Sequence, residues 1–287
     1  MDILDYAFMQ RALIAAALVG ITAPAIGTYL VQRRQALMGD GLGHVAMTGV
    51  ALGFVLQTSP VWMATLVAVV GAVGMELIRT RGRTSGDVAL AMLFYGGLAG
   101  GVMIINLGGG QTASLLGSMF GSITTVATED VTAMALLAAF VLAVAIGLRR
   151  QLFAVCQDEE FARVTGLPVR ALNLLMAVTA AVTVTVAMRI VGLLLVSAML
   201  VIPVAAAQRL TRSFATTLGL AMTISVTVSL TGTAATYYIN VPSGATIVLL
   251  AIGVFMVMAA LSGPLARRRA RASLAAEEVC TRDDVKV

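Results

Sequence analysis

Stretches of apolar residues follow one another along the chain, separated by short polar segments. They lie at about 12–31, 37–56, 61–78, 87–106, 130–148, 171–187, 190–205, 214–236 and 244–262. Each is close to the roughly 20 helical residues that cross the ~30 Å hydrocarbon core of a bilayer. The pattern predicts nine membrane-spanning helices. The pair at 171–205 is the least regular, because Arg189 interrupts it; it could be two spans joined by a tight turn or one long broken helix.

The composition indicates that most of the chain is surrounded by lipid. Of 287 residues, 59% are hydrophobic and only 11% are charged, whereas ordinary globular domains are about 25% charged. So few polar groups exclude a soluble enzyme, a disordered chain and a nucleic-acid binder. We predict an all-α membrane protein, a polytopic bundle of about eight or nine transmembrane helices over residues 1–265, followed by a cytoplasmic tail of basic and mixed charge at 266–287.

The basic residues are distributed unevenly between the two predicted faces. Of 19 Lys and Arg residues, only Arg11 and Arg189 fall on one side, which leaves 17 on the other. Because positively charged loops stay in the cytoplasm, this predicts a multi-pass protein of the plasma (inner) membrane with a cytoplasmic C-terminus and an N-terminus outside. The net charge of +5 is then a topology signal and does not indicate an anionic partner.

A few acidic residues lie near the predicted membrane boundaries. Glu129 and Asp130 fall on the outer face, where they could concentrate cations or attract a basic partner. The same carboxylates are equally typical of the N-terminus of a helix. Glu76 precedes Arg79 by three residues near the inner end of the third span, a spacing that predicts a solvated ion pair.

The second span contains the only histidine of the chain, His44, four residues after Asp40. On a helix the two side chains share a face, and ionisable residues at membrane depth usually serve a function. A carboxylate and an imidazole are ligands that suit Zn, Mn or Fe. The residues alone leave two alternatives open, in which Asp40 caps the helix and His44 is an ordinary packing residue.

The same span carries two glycine pairs with a spacing of four, which predict close helix packing: Gly39 and Gly43, then Gly49 and Gly53.

Motifs for catalysis are absent from the sequence. The chain has no GxxxxGK[ST], HExxH or GxSxG, and its only lysine is Lys286. Without a P-loop it lacks that route to nucleotide hydrolysis. We therefore expect a transport protein rather than an enzyme.

A second candidate functional segment follows the seventh span. It begins at Pro203, which suits the first turn of a short helix, and ends with basic residues. An amphipathic helix on the cytoplasmic face would offer a docking element to another protein, and an ordinary basic loop is equally compatible with the pattern. Its candidate contact residues are Pro203, Ala205, Ala206, Gln208, Arg209 and Arg212.

Three motifs in combination resemble the permease subunit of ABC-type metal-ion importers, the ABC-3 family. They are Gly39-Asp40 to His44 after an arginine pair, the acidic segment 158–162 ending at Gly166, and the apolar stretch 189–210 that runs into Pro203. The similarity covers about residues 30–260. The chain departs from the usual family pattern at Gly41, Gly43 and Thr48.

This resemblance implies a fold similar to vitamin B12 and siderophore permeases and a homodimer of permease chains. It also implies a cytoplasmic ABC ATPase subunit that uses the ATP, and an extracytoplasmic metal-binding protein. Asp40 and His44 would bind the passing ion, Zn or Mn first and Fe next, with no permanently bound cofactor, and Pro203–Arg212 would be the ATPase-coupling helix. Two alternatives stay open: an ABC permease for a metal chelate or siderophore-like substrate, and a secondary transporter driven by an ion gradient.

Overall fold

The computed structural model describes residues 6–80, 86–109, 127–239 and 241–261. Within these ranges the chain forms eleven helices and no strand. The helices are α1 (Ala7–Gln32), α2 (Met38–Val55), α3 (Pro60–Thr80), α4 (Gly86–Leu107), α5 (Thr128–Gly147), α6 (Arg149–Gln157), α7 (Glu159–Val164), α8 (Val169–Val191), α9 (Leu193–Leu210), α10 (Phe214–Ile239) and α11 (Ser243–Leu261). The predicted tail at 266–287 and its boundary at 265 lie outside the described residues.

The prediction of an all-α membrane protein is confirmed. Eight of the described helices are long and apolar enough to cross a membrane, and each coincides with a predicted span. The remaining predicted span is α2, which is helical but is not one of the eight. It contains Asp40, His44 and several glycines, and 13 of its 18 residues are buried, against α3, α4, α8 and α9. The polar residues of this helix are tolerated because it faces protein rather than lipid.

The bundle has inner and outer helices. The buried share of an 18-residue apolar stretch in each helix separates the two groups. It is 72% in α1 and 67% in α8, but only 28% in α3, 22% in α4 and 17% in α11. The outer helices expose large apolar side chains such as Leu66, Met92 and Leu249. A surface of this kind is stable only in lipid or against another apolar protein surface.

The irregular stretch at 171–205 forms two helices, α8 and α9, which are separated by Gly192 alone. Gly192 has φ +86° and ψ 156°, a backbone conformation that is open almost exclusively to glycine. The break between the helices lies at Gly192, three residues beyond Arg189, and of the two alternatives the arrangement with two spans is confirmed. Arg189 lies in the last turn of α8, where its Nη1 is 3.1 Å from Asp130 Oδ1 at the start of α5.

A second set of charges lies at the opposite ends of these helices, and we call it the inner-face charge cluster. It consists of Arg33, Glu76, Arg79, Glu159 and Asn173. Arg79 donates to both Glu76 (Nη2–Oε1, 2.8 Å) and Glu159 (2.8 Å). The predicted pair of Glu76 and Arg79 is present, but Glu76 is only 4% exposed, so the expectation that the pair is solvated was wrong. Arg79 joins this pair to Glu159 of α7, and Arg33 at the end of α1 contacts the same carboxylate.

These two charge clusters place the predicted faces at opposite ends of the bundle. Arg189 and Asp130, both predicted for the outer face, lie together. Arg33 and Arg79, both predicted for the inner face, share Glu159. Which face is cytoplasmic stays a prediction from the distribution of basic residues.

Candidate functional site

Asp40 and His44 share one face of α2. Asp40 Oδ1 lies 3.9 Å from His44 Nε2, one helical turn further along. The helix begins at Met38 with Leu37 as its N-cap, and no side chain caps it. Asp40 therefore lies inside the first turn, and the alternative that it caps the helix was wrong. Its negative charge near the helix N-terminus is favourable, but its carboxylate does not bond to the terminal backbone N–H groups.

The two side chains have different access to their surroundings. His44 is 6% exposed and packs edge-on against Phe94 of α4, with ring centroids 4.4 Å apart. Its Nδ1 is buried and has no hydrogen-bond partner among the described residues. Asp40 keeps 31% of its side chain exposed and borders a groove of about 380 Å³ that Tyr95 also lines. Buried polar atoms are normally paired, so the unpaired Nδ1 is unusual. The other ring nitrogen, Nε2, is the one that faces Asp40, and this imidazole and carboxylate form a candidate ligand pair.

A third polar side chain, which the sequence analysis did not single out, reaches this pair from α9. The hydroxyl of Ser197 donates to Asp40 Oδ1 over 3.3 Å, from 157 residues away in the chain. One signal was present in the sequence: Ser197 is the only residue with a polar side chain between Ile190 and Ala205. That signal did not reveal its partner, because the contact depends on how α9 packs against α2.

Glycines allow the helices around the pair to approach closely. Gly39 and Gly43 face α9, where added Cβ atoms would overlap the side chains of Leu200 and Leu193. Gly49 and Gly53 face α3, where Cβ atoms would lie 2.5 Å from Ala64 Cα and 2.6 Å from Pro60 Cα. Gly97 of α4 lies against the backbone of His44 and Val45, with 2.6 Å from its would-be Cβ to Val45 N. Three helices, α3, α4 and α9, thus pack closely on α2, the helix that carries Asp40 and His44.

The arrangement contains few ligands for a resident metal ion. Within the described part of the chain, no group of three or more His, Cys, Asp or Glu side chains could hold a metal. Structural zinc sites typically use four protein ligands. Among the described residues, the arrangement offers two strong ligands with one hydroxyl nearby.

The segment predicted as a separate coupling helix belongs to α9. The helix continues through Pro203 to Leu210, so the prediction of a short helix beginning at Pro203 was wrong. Proline removes one backbone hydrogen bond, and packing against α1 and α10 keeps the helix intact, as is common inside membranes. Pro203 and Ala206 are buried and Ala205 is partly buried, while Gln208, Arg209 and Arg212 are exposed. These residues are remote from Asp40 along α9, and the structure does not bring them into the ligand pair.

The acidic segment at the inner face forms the short helix α7. Asp158 caps it, and its Oδ1 accepts from the backbone N–H groups of Glu160 (2.9 Å) and Phe161 (3.0 Å). Glu159 belongs to the inner-face charge cluster. On the opposite side of α7, Phe161 is 64% exposed and Val164 is 86% exposed. An apolar pair exposed next to a charged cluster, at a helix end outside the span, is typical of a protein-contact surface.

Comparison with known proteins decides the family. A sequence model described as the ABC 3 transport family matches residues 5–262. The chain belongs to this family. The resemblance inferred from the three motifs is therefore confirmed, and so is the assignment to a multi-pass membrane protein.

Individual members of the family are similar over most of their length. The manganese transport system membrane protein MntC of Halalkalibacterium halodurans is 32% identical over 254 residues, which cover 88% of this chain and 87% of MntC. The probable iron transport system membrane protein of Haemophilus influenzae is 30% identical over 261 residues, covering 90% and 95%. The solved structure of PsaBC from Streptococcus pneumoniae in complex with Fab has 30% sequence identity and a TM-score of 0.79, with 89% of this chain and 92% of that chain covered.

Proposed function

We propose that this ABC 3 family member is the permease subunit of an ATP-driven importer of divalent transition-metal ions. A separate ABC ATPase would supply the energy, and an extracytoplasmic protein would deliver the ion. Family membership and the metal-transport relatives support the class of protein. The observation that carries the ion pathway is the pairing of Asp40 with a buried His44, whose Nε2 faces Asp40 Oδ1 at 3.9 Å.

The geometry is compatible with one ion contacting both ligands. Zinc bonds to imidazole nitrogen and carboxylate oxygen are about 2.0–2.2 Å long, so two such atoms on one tetrahedral ion lie about 3.4 Å apart. Asp40 Oδ1 and His44 Nε2 are 3.9 Å apart, and a small side-chain rotation would complete the contact. In our proposal the ion enters from the outer face, pauses here, and leaves inward when the helices rearrange.

The cargo we favour is Mn²⁺, with Fe²⁺ and Zn²⁺ as competitors. A carboxylate, an imidazole and a hydroxyl form a mixed oxygen and nitrogen set without sulfur, which suits Mn²⁺ and Fe²⁺ at least as well as Zn²⁺. The names of the relatives, manganese in one case and iron in another, point to the same group of metals. Bare-ion uptake measured beside uptake of a siderophore complex separates this proposal from a chelate permease.

Substitution of the ligands tests the proposed site. In vesicles that contain the assembled permease and ATPase with the binding protein added, Asp40→Asn and His44→Gln should each reduce Mn²⁺ uptake at least tenfold, because each removes one of two strong ligands. Thr48→Ser is the matched control, since Thr48 lies one turn beyond His44 and its hydroxyl bonds Gly97 O (2.6 Å), a contact that serine preserves. Normal uptake by the double variant, with assembly intact, would overturn the site.

We further propose that the ATPase docks on α7 together with the exposed end of α9. Phe161 and Val164 of α7 supply apolar contact, and Gln208, Arg209 and Arg212 supply polar contact. The rings of Phe153 of α6 and Phe214 of α10 contact each other at a tilt, with centroids 4.9 Å apart. Helix α6, which precedes α7, therefore adjoins α10, which follows α9. Of the six predicted coupling residues, the proposal keeps the three that are exposed to a partner, Gln208, Arg209 and Arg212. A homodimer of permease chains remains part of the proposal.

The docking proposal is tested by co-purification of the ATPase. Phe161→Asp should weaken capture of the ATPase subunit strongly, and the Gln208→Ala/Arg209→Ala double variant should weaken it or uncouple hydrolysis from uptake. Trp62→Ala is the control, because Trp62 is 78% exposed but lies at the outer end of α3. Unchanged capture and coupling in both inner-face variants would contradict the assignment.

A further inference from the structure

Helix α9 contacts the ligand pair in its first half and reaches the inner face with its last turn. Ser197 lies on the first half, and Arg209 lies 12 residues later, about 18 Å along the helix axis at 1.5 Å per residue. Among the described residues, the side chains that approach the Asp40 carboxylate are Ser197, with its Oγ at 3.3 Å, and His44, with its Nε2 at 3.9 Å. Ser197 is thus the residue through which α9 contacts this carboxylate.

The position of Ser197 is set by two leucines that are seated on glycines of α2. Leu193 packs on Gly43, and Leu200 packs on Gly39. Ser197 lies four residues after the first leucine and three before the second, so all three side chains share one face of α9. The register between the two helices therefore places the hydroxyl at Asp40, and a shift of α9 by one turn would remove it.

We propose that Ser197 is a positioning residue of the ion pathway, whose hydroxyl orients the Asp40 carboxylate for a metal ion shared with His44. The inference rests on the function proposed above, and it adds a residue on a different helix. A hydrogen bond to Oδ1, the oxygen that faces His44, restricts rotation of the carboxylate. Because each carboxylate oxygen can accept more than one contact, Oδ1 and Oδ2 both stay available to the ion. Groups that orient ligands in this way typically alter metal affinity by about 10–100-fold. Since α9 also carries Arg209, a displacement of α9 by the ATPase would change the hold on Asp40.

Removal and restoration of the hydroxyl test the proposal. In the permease–ATPase complex in vesicles, Ser197→Ala should raise the KM for Mn²⁺ by about tenfold or more and leave kcat within about twofold of the wild-type value, while Ser197→Thr should restore most of the affinity. The matched control is Ser225→Ala on α10, because the Ser225 hydroxyl also contacts α9, 3.3 Å from Met199 Sδ, but not Asp40. An equal change in both alanine variants, or no change in Ser197→Ala, would overturn the proposal.

A cysteine at the same position provides an independent readout. In a chain whose Cys156 and Cys280 are replaced by alanine, Ser197→Cys places a softer ligand beside Asp40 and should shift preference from Mn²⁺ toward Cd²⁺ and Zn²⁺. Bound Cd²⁺ should then slow alkylation of the new thiol. If Cd²⁺ does not slow alkylation and the metal preference is unchanged, the proposed place of residue 197 beside the bound ion is refuted. If Asp40→Asn transports normally, the proposed site itself fails; if Asp40→Asn is inactive and Ser197→Ala is normal, the role of Ser197 alone fails.

Discussion

Replacement of Glu159 by glutamine should destabilise the protein more than any other single charge removal on α7. Glu159 Oε1 accepts from Arg33 Nη2, from Arg79 Nη2 (2.8 Å) and from Asn173 Nδ2 (3.3 Å). It therefore ties α7 to the ends of α1 and α3 and to α8. Glu159→Gln keeps the shape of the side chain and removes its charge, so the variant isolates the electrostatic contribution.

The size of the effect follows from burial and charge balance. In the wild type, Arg33 and Arg79 are balanced by Glu76 and Glu159. After the substitution two guanidinium groups face one carboxylate, and Arg33, whose side chain is 5% exposed, loses the carboxylate that it contacts. Breaking a buried ion pair costs about 3–5 kcal/mol. Because 31% of the Glu159 side chain is exposed and solvent screens it, we expect the lower end, about 3 kcal/mol.

Equilibrium unfolding in mixed micelles, with sodium dodecyl sulfate as denaturant, measures this loss. Glu160→Gln is the matched control, because Glu160 is the next residue of α7 and is exposed; its effect should be within about 0.5 kcal/mol. A combined Arg33→Met/Glu159→Met variant should recover much of the stability, since apolar pairs often replace buried ion pairs without loss. Equal stability of Glu159→Gln and Glu160→Gln would refute the reasoning.

The same carboxylate predicts an acid limb in the stability of the protein. Burial by itself would raise the pKa of Glu159, but the charges of Arg79 and Arg33, together with hydrogen bonds from Arg79 and Asn173, hold this pKa below its ordinary value of 4.5. A carboxyl with a lowered pKa in the folded state stabilises above its unfolded pKa, and the stabilisation disappears as the pH falls through the folded value. Stability of the wild type should therefore decline below about pH 4.5 by this linkage, and Glu159→Gln should lack that part of the decline.

Two further predictions concern glycines. Gly97→Ala should reduce both the folded yield and metal uptake, because the new Cβ would lie 2.6 Å from Val45 N and 2.7 Å from the His44 carbonyl carbon. Gly96→Ala is the control, since its Cβ would meet nothing within 4 Å. Equal uptake by the two variants would contradict the packing argument. Gly192→Ala should destabilise the protein by about 1–3 kcal/mol, because alanine is strained at the φ of +86°. Gly219→Ala, with open space around it, should be neutral in the same unfolding assay. A neutral Gly192→Ala would show that the turn between α8 and α9 relaxes.

The positions of the helices were predictable from the sequence because a bilayer sets a narrow range of apolar lengths. All nine predicted stretches are helical, including α2, whose polar residues lower its hydropathy. The pairing of Asp40 with His44 was also predictable, since a separation of four residues on a helix fixes a common face without any knowledge of the tertiary structure. The four glycines that allow close approach were visible for the same reason.

What the sequence could not determine were the contacts between distant segments. The hydrogen bond from Ser197 to Asp40 depends on the register of α9 against α2. The contacts of Glu159 with Arg33 and Arg79 depend on α7 reaching the ends of α1 and α3. The predicted separate helix at Pro203 failed for a related reason, because packing of α9 against its neighbours outweighs the tendency of proline to begin a helix. Local spacing and bilayer thickness act on neighbouring residues, so the sequence by itself determined the helices and the pairing of Asp40 with His44. The partners of those helices are selected by the combined packing of the whole bundle, and only the tertiary structure decided them.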